Sequence, residues 1–352
     1  MMQMSERSSL ETSSKSRNPS EDETPRVGWK DRVVLILKFL IVGLVFYFLY
    51  RKGLITEESF RKLAASPGTW MVCTILTVLN SVFGALRWQV LLRTQGLDLP
   101  FMEVFRLGLI GFFFNIALPG AVSGDVVKAM ILVKSYRSNR AGIFGSLVFD
   151  RILGVSAMVF VGAFSALLSV LVPWGGALPK VLLWSIGGVG ACAACFFLYL
   201  FFSHSKDPLL SVLKFFTKRH EKLAAIERLY LGVMGYRAYP KRIVKAVALS
   251  ILIHLFLIVM SFLITEAISQ NSLSFFAIAV IVPIGMLATA IPVLPAGVGT
   301  GHAAFLGLFH LVGSQQGAEV FSMIVLYQVM MGVLGGLVYL RHLSSRRVST
   351  VY

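Results

Sequence analysis

Residues 101–134, FMEVFRLGLIGFFFNIALPGAVSGDVVKAMILVK, are apolar enough for a membrane yet interrupted in the middle by Pro119, Gly120 and Gly124. Proline removes a helical N–H and glycine raises the entropic cost of ordering, so the spacing predicts two helical arms joined by a turn. Residues 274–311 repeat the design: an apolar arm, then IPVLPAGVGTGHAA, then another apolar arm, with Pro292, Pro295, Gly297, Gly299 and Gly301 in the break. Irregular backbone at membrane depth is tolerated only where protein or a watery cavity satisfies its polar groups. Paired interruptions in two halves of a chain point to a transport site. Both stretches are expected to be re-entrant helical hairpins.

The composition around them agrees. The chain has 352 residues, of which 56% are hydrophobic and only 14% charged, and its mean hydropathy is +0.77. That excludes an ordinary soluble domain. Apolar runs at 33–50, 70–92, 142–172, 180–202, 243–268 and 320–340 give about six full spans, so the fold class is an all-α polytopic membrane protein. Residues 1–28 read as a disordered cytoplasmic tail, 29–343 as the transmembrane domain, and 344–352 as a second cytoplasmic tail. The net charge of +16 could suggest nucleic acid, but the basic residues lie in short segments between apolar runs, as in cytoplasmic loops. No nucleic-acid partner is expected. The three cysteines all fall inside apolar runs, and Cys192 and Cys195 read as small packing residues.

Charge sets the expected topology. Residues 203–242 carry nine Lys or Arg against three acids and form the main cytoplasmic loop, with an amphipathic pattern suited to anionic lipid. Between Lys245 and Arg341 there is no Lys or Arg, which places both flanks of the second interruption outside, whereas the flanks of the first carry Arg93 and Arg137 and lie inside. The two hairpins then enter from opposite faces. Span, hairpin, span, twice over in opposite senses, is an inverted-topology repeat whose tips meet near the midplane. Both termini are expected on the cytoplasmic side of the cell membrane.

Ionisable groups inside spans cost roughly 2.5 to 3.5 kcal/mol each on insertion scales, so they are rarely idle. At the first tip stand Asn115, Asp125 and Lys128, the last two three apart on one helix face. Asp150 and Arg151 come nine and ten residues into a long apolar run. Helix neighbours point in different directions, so each needs an outside partner. The economical pairing is Arg151 with Asp125, and Lys128 with Asp150 or with a phosphate. Arg87, near the end of its span, is expected to snorkel to the interface and to add to the positive charge of a cavity built by the other four. At the second tip, Gly297, Gly299 and Gly301 would present N–H groups at a helix start, which suits phosphate, with His302 beside them for ligand contact or proton handling. His254 and His310 read as packing residues. There is no metal cluster, no nucleotide loop and no soluble catalytic motif, so neither a cofactor nor catalytic residues are expected.

These residues resemble the flippase-like integral membrane family related to the transmembrane half of lysylphosphatidylglycerol synthases. The matching pieces are RW at Arg87 and Trp88, N-x-x-L-P-G-x-x-x-G-D-x-x-K from Asn115 to Lys128, the DR pair Asp150 and Arg151, and P-x-L-P-x-G-x-G from Pro292 to Gly299. The family often has Arg where this chain has Lys128 and an acid where it has His302. Its larger members carry a soluble aminoacyl-transferase domain, which is not expected here. The resemblance implies translocation of anionic phospholipids or polyprenyl-phosphate-linked lipids between leaflets. Two other readings stay open from sequence: a membrane-embedded transferase acting on a lipid carrier, with Asp125 or Asp150 as general base, and an accessory subunit holding a separate glycosyltransferase or lipid-modifying enzyme.

Overall fold

The computed structural model of the chain describes residues 57–118, 122–172, 178–202, 207–217, 224–268, 273–289 and 297–348, with the single positions 40, 43, 47, 50 and 51. Among the described residues all regular structure is helical. In chain order the helices are α1 (Glu57–Ala64), α2 (Pro67–Thr94), α3 (Phe101–Ala117), α4 (Ser123–Ser135), α5 (Arg140–Leu171) and α6 (Lys180–Phe202). They continue with α7 (Pro208–Thr217), α8 (Ala224–Met234), α9 (Pro240–Ile268), α10 (Phe275–Ala288), α11 (Thr300–His310) and α12 (Gly317–Val348).

Five of these, α2, α5, α6, α9 and α12, are long and apolar enough to cross a membrane. They coincide with five of the six expected spans. The remaining expected span, 33–50, lies outside the described residues apart from helical positions 40, 43, 47 and 50. Both interrupted stretches form pairs of short helices, α3 with α4 and α10 with α11, broken where the prolines and glycines stand. Pro119, Gly120, Pro292 and Pro295 themselves lie outside the described residues. At about 1.5 Å per residue, none of these four arms reaches the roughly 30 Å of a hydrocarbon core.

Packing links the two halves. α2 runs along α9, α3 lies against α12, and α10 lies against α5. Small residues let the backbones approach, as membrane helices require where apolar surface alone gives little drive to associate. A Cβ at Gly335 of α12 would collide with the Leu109 carbonyl oxygen of α3, and one at Gly162 of α5 would stand 3.0 Å from the Pro283 side chain of α10. Leucine at Gly335 is therefore expected to force α12 from α3, costing about 1 to 3 kcal/mol as an overpacked contact. A lowered thermal midpoint in detergent checks this, and an unchanged midpoint would show that the two helices are not held together there.

The expected amphipathic loop divides into α7 and α8. The hydroxyls of Tyr199 on α6 and Tyr230 on α8 both donate to the Asp207 carboxylate, at 2.6 and 2.7 Å. Tyr236, just beyond α8, stacks on Phe149 at 4.1 Å between ring centroids and donates to the Leu91 carbonyl at 3.1 Å. This fastens the loop to α2 and α5. Cys192 and Cys195 are exposed on α6, correcting their reading as packing residues, whereas Gly190 of α6 lies against Ala163 and Val159 of α5. His310 is likewise exposed at the end of α11.

Candidate functional site

The site begins with the turn between α3 and α4. Gly124, the second residue of α4, has an N–H that the helix itself cannot satisfy, and the Asn115 amide oxygen accepts it at 2.8 Å. Any Cβ on Gly124 would strike the Gly111 carbonyl, so only glycine lets α4 start this close to α3. Asp125 follows in the first turn, where the helix dipole favours a carboxylate.

Asp125 is buried and holds two cations at once. Lys128 Nζ lies 2.6 Å from one carboxylate oxygen, and Arg151 Nε, from α5, lies 2.6 Å from the other. The Lys128 ammonium also sits 4.7 Å from the centre of the Trp88 ring, a cation–π contact. That ring is fixed by its own N–H, which donates to Ser146 Oγ at 3.1 Å. Arg151 keeps 47% of its side chain accessible, against 13% for Asp125, so it reaches from the buried carboxylate toward open space.

A second ion pair lies alongside. The Arg87 guanidinium donates from Nε to Asp150 Oδ1 at 2.7 Å and from Nη2 to Oδ2 at 2.8 Å, while Nη1 donates to Ser250 Oγ on α9 at 3.0 Å. Two expectations are corrected here. Arg87 does not snorkel, because α5 brings a carboxylate across from it that matches its planar fork, and a paired guanidinium has no need to reach the interface. Asp150 in turn has both oxygens occupied by Arg87, so Lys128 turns back to Asp125 on its own helix. The expected Arg151 to Asp125 contact is present.

Both clusters line one cavity of about 580 Å³, bounded by α2, α3, α4, α5, α9, α10 and α12. The cavity holds three cations against two carboxylates, within the size range of ligand sites. Arg87, Asn115, Asp125, Lys128, Asp150, Arg151 and Gly297 all face it. Gly299, Gly301 and His302 do not. His302 is buried and turned toward α12, where Nε2 meets Ser322 Oγ at 2.9 Å, its ring lies edge-on to Phe321, and Nδ1 accepts the Gly299 N–H at 3.3 Å. It thus caps the start of α11, using an N–H that could otherwise meet an anion. Gly301 packs under the Phe321 ring. Gly297, at φ +70°, and Gly299, at φ +88°, supply backbone that other residues rarely adopt. Among the described residues no group of acids, histidines and cysteines could hold a metal ion.

The sequence reading missed the uncharged part of the wall. Asn80 and Gln328, single amides in apolar runs, face the cavity, and so does His254, whose Nε2 contacts the Gly154 carbonyl at 2.8 Å. An amide in a span carries less penalty than a charge, so it stands out less.

The comparisons with known proteins fit this picture. A UPF0104 membrane protein of Methanothermobacter thermautotrophicus is 25% identical over 283 residues, 76% of this chain and 82% of the relative. UPF0104 membrane proteins of Pyrococcus horikoshii and Methanocaldococcus jannaschii are 28% and 26% identical over shorter stretches, 35% and 37% of this chain and 37% and 38% of those relatives. No solved structure matches the chain. Five apolar helices and membrane-protein relatives make it a multi-pass membrane protein. The family model described as the lysylphosphatidylglycerol synthase TM region matches residues 35–338, and the chain belongs to that family.

Proposed function

We propose that the protein moves an anionic lipid head group, of a phospholipid or a polyprenyl-phosphate-linked lipid, across the membrane through the cavity between its two hairpins. The observation that carries this reading is the cavity itself: set among the helices and open on one side, lined by three cations and two carboxylates, and walled by both halves of the chain. A phosphate there gains cationic partners, while the lipid tails stay among the apolar outer faces.

The fold's packing supports alternating access. Exchanging the halves turns the α3 to α12 contact into the α10 to α5 contact and leaves α2 against α9. That pattern suits an inverted repeat in which two short hairpins dip in from opposite faces and rock about a shared site. The site residues are proposed to act as Lys128 and Arg151 toward the phosphate, with Asp125 holding both in place and Arg87 with Asp150 fixing α2 to α5. Gly297 and Asn115 shape the tips. Gly299, Gly301 and His302 are proposed to serve the second tip from behind, by setting the start of α11. Since both carboxylates are engaged by cations, neither is poised as a general base, which favours transport over a transferase.

Reconstituted vesicles carrying a head-group-labelled anionic lipid test the reading. Replacing Lys128 and Arg151 together by Gln is expected to slow leaflet exchange roughly thirtyfold, the loss of about 2 kcal/mol of charge-assisted hydrogen bonding. Exchange at the natural rate in this variant would remove the cation cluster from the mechanism. A chemically altered lipid after incubation would replace transport by transfer.

A further inference from the structure

The last turn of α2 leaves carbonyls that the helix itself cannot satisfy, and side chains from elsewhere in the chain reach that end. Tyr236 donates to the Leu91 carbonyl at 3.1 Å, Arg242 Nη1 to that of Arg93 at 3.0 Å, and Asn139 Nδ2 to that of Gln95 at 2.7 Å. Gln95 Nε2 donates in turn to the Gly232 carbonyl of α8 at 3.2 Å. These bonds gather the ends of α2, α5, α8 and α9 into one face of the bundle. There α8 lies along the flank of α5. Gly232 packs on Gly145, and Tyr236 stacks on Phe149, about 14 Å from the start of a helix long and apolar enough to cross a membrane. The outer side of α8 is therefore at the depth of lipid head groups and the first acyl carbons.

The charge on this face is not balanced from within. Of the described carboxylates in the loop, Asp207 accepts both tyrosine hydroxyls and the Leu210 N–H, the last at 3.0 Å, and Glu227 accepts the Thr217 hydroxyl at 2.8 Å. Lys214 on α7 and Lys241 and Lys245 at the start of α9 are exposed and, among the described residues, form no ion pair. Large apolar side chains stand exposed between them: Val212 on α7, Ile226 and Leu231 on α8, and Val244 on α9, which keeps 67% of its surface. Apolar groups interleaved with lysines on helices beside a span are the pattern of an interfacial surface.

We infer that α7, α8 and the start of α9 form a platform lying in the membrane plane, and that anionic phospholipid head groups of the adjoining leaflet seat on it, separately from the cavity. Anionic lipid meets both halves of the pattern. Its acyl region covers Leu231 and Val244, and its phosphates neutralise lysines whose long stems carry the ammonium up past those apolar groups. Zwitterionic lipid covers the apolar groups but brings no net charge to the lysines. A soluble acidic protein neutralises the lysines but does not reach side chains lying along the flank of a span. Asp207 and Tyr236 hold α8 from the protein side, so head groups on its other side close a clamp and slow its local opening.

The test is amide hydrogen exchange over α8 in the full chain, in nanodiscs of phosphatidylcholine alone and of phosphatidylcholine mixed with phosphatidylglycerol. Exchange is expected to be about tenfold slower in the anionic discs. A lysine at an anionic surface adds roughly fivefold to binding, so Lys214→Gln, Lys241→Gln and Lys245→Gln together remove about 100-fold and bring the ratio between the two discs close to one. About 1 M salt, which screens charges beyond about 3 Å, is expected to do the same to the natural protein. The cavity variant Lys128→Gln with Arg151→Gln is expected to keep the full ratio. Each ratio is taken within one variant, so a general loosening of the fold does not imitate the result. A ratio near one in the natural protein would overturn the platform and leave the basic face to a soluble acidic partner. A ratio that survives the three lysine substitutions or high salt would remove the lysines from the contact, and one lost in the cavity variant would trace the effect to lipid in the cavity; either overturns the platform while leaving the transport reading untouched.

Discussion

Asp150→Ala is expected to destabilise the protein by about 3 to 5 kcal/mol, the cost of leaving a buried cation without its counter-ion. Only 12% of the Arg87 side chain is accessible, and all three of its donating nitrogens are committed inside the helix bundle, two to Asp150 and one to Ser250. Removing the carboxylate strands a guanidinium that cannot be deprotonated and, from its place between α2, α5 and α9, has no short route to the interface. Replacing the pair, Arg87→Met with Asp150→Leu, is expected to recover most of the lost stability, because two apolar side chains of similar volume need no desolvation. Thermal unfolding in detergent of the two singles and the double gives the coupling directly. If the double were as unstable as Asp150→Ala, the pair would not be the source of the effect.

The same pair shows where sequence reasoning reaches and where it stops. That Asp125, Lys128, Asp150 and Arg151 converge follows from cost: a charge in an apolar run must find an opposite charge, and these are few enough to match. The Arg151 to Asp125 contact comes out of that logic. Which partner Asp150 takes depends on how α2 crosses α5, and nothing in the local spacing of either helix fixes a crossing. The helix breaks were legible because proline and glycine act on backbone locally, whatever surrounds them. His302 was legible as a polar residue at the second break. Its direction was not, since the rotation of α11 is set by Gly301 against Phe321 and by Ser322 waiting on α12. Arg87 failed for a related reason: four or five residues from a helix end a side chain can snorkel or pair, and only the opposing helix decides.

Asp125→Asn is expected to reduce lipid exchange by at least about 100-fold, more than neutralising either cation alone. Every tenfold loss is about 1.4 kcal/mol, and stranding two cations costs more than that twofold sum. Asp125 is 2.6 Å from both Lys128 and Arg151, so without its charge the two cations repel each other and the hairpin loses its main tie to α5. An amide can still hydrogen-bond but cannot neutralise. The exchange of positions, Asp125→Arg with Arg151→Asp, keeps one carboxylate, two cations and the same net charge across the α4 to α5 contact. Partial recovery, roughly tenfold above Asp125→Asn, is therefore expected in leaflet-exchange assays on equal amounts of folded protein. The recovery is incomplete because arginine at position 125 must start a helix turn where the dipole favours an anion. A swap no better than Asp125→Asn, at equal folded protein, would mean that the carboxylate acts at its own position and not through the pair; full activity of Asp125→Asn would mean that the cations need no internal counter-ion, and that the cavity holds its anion by some other means.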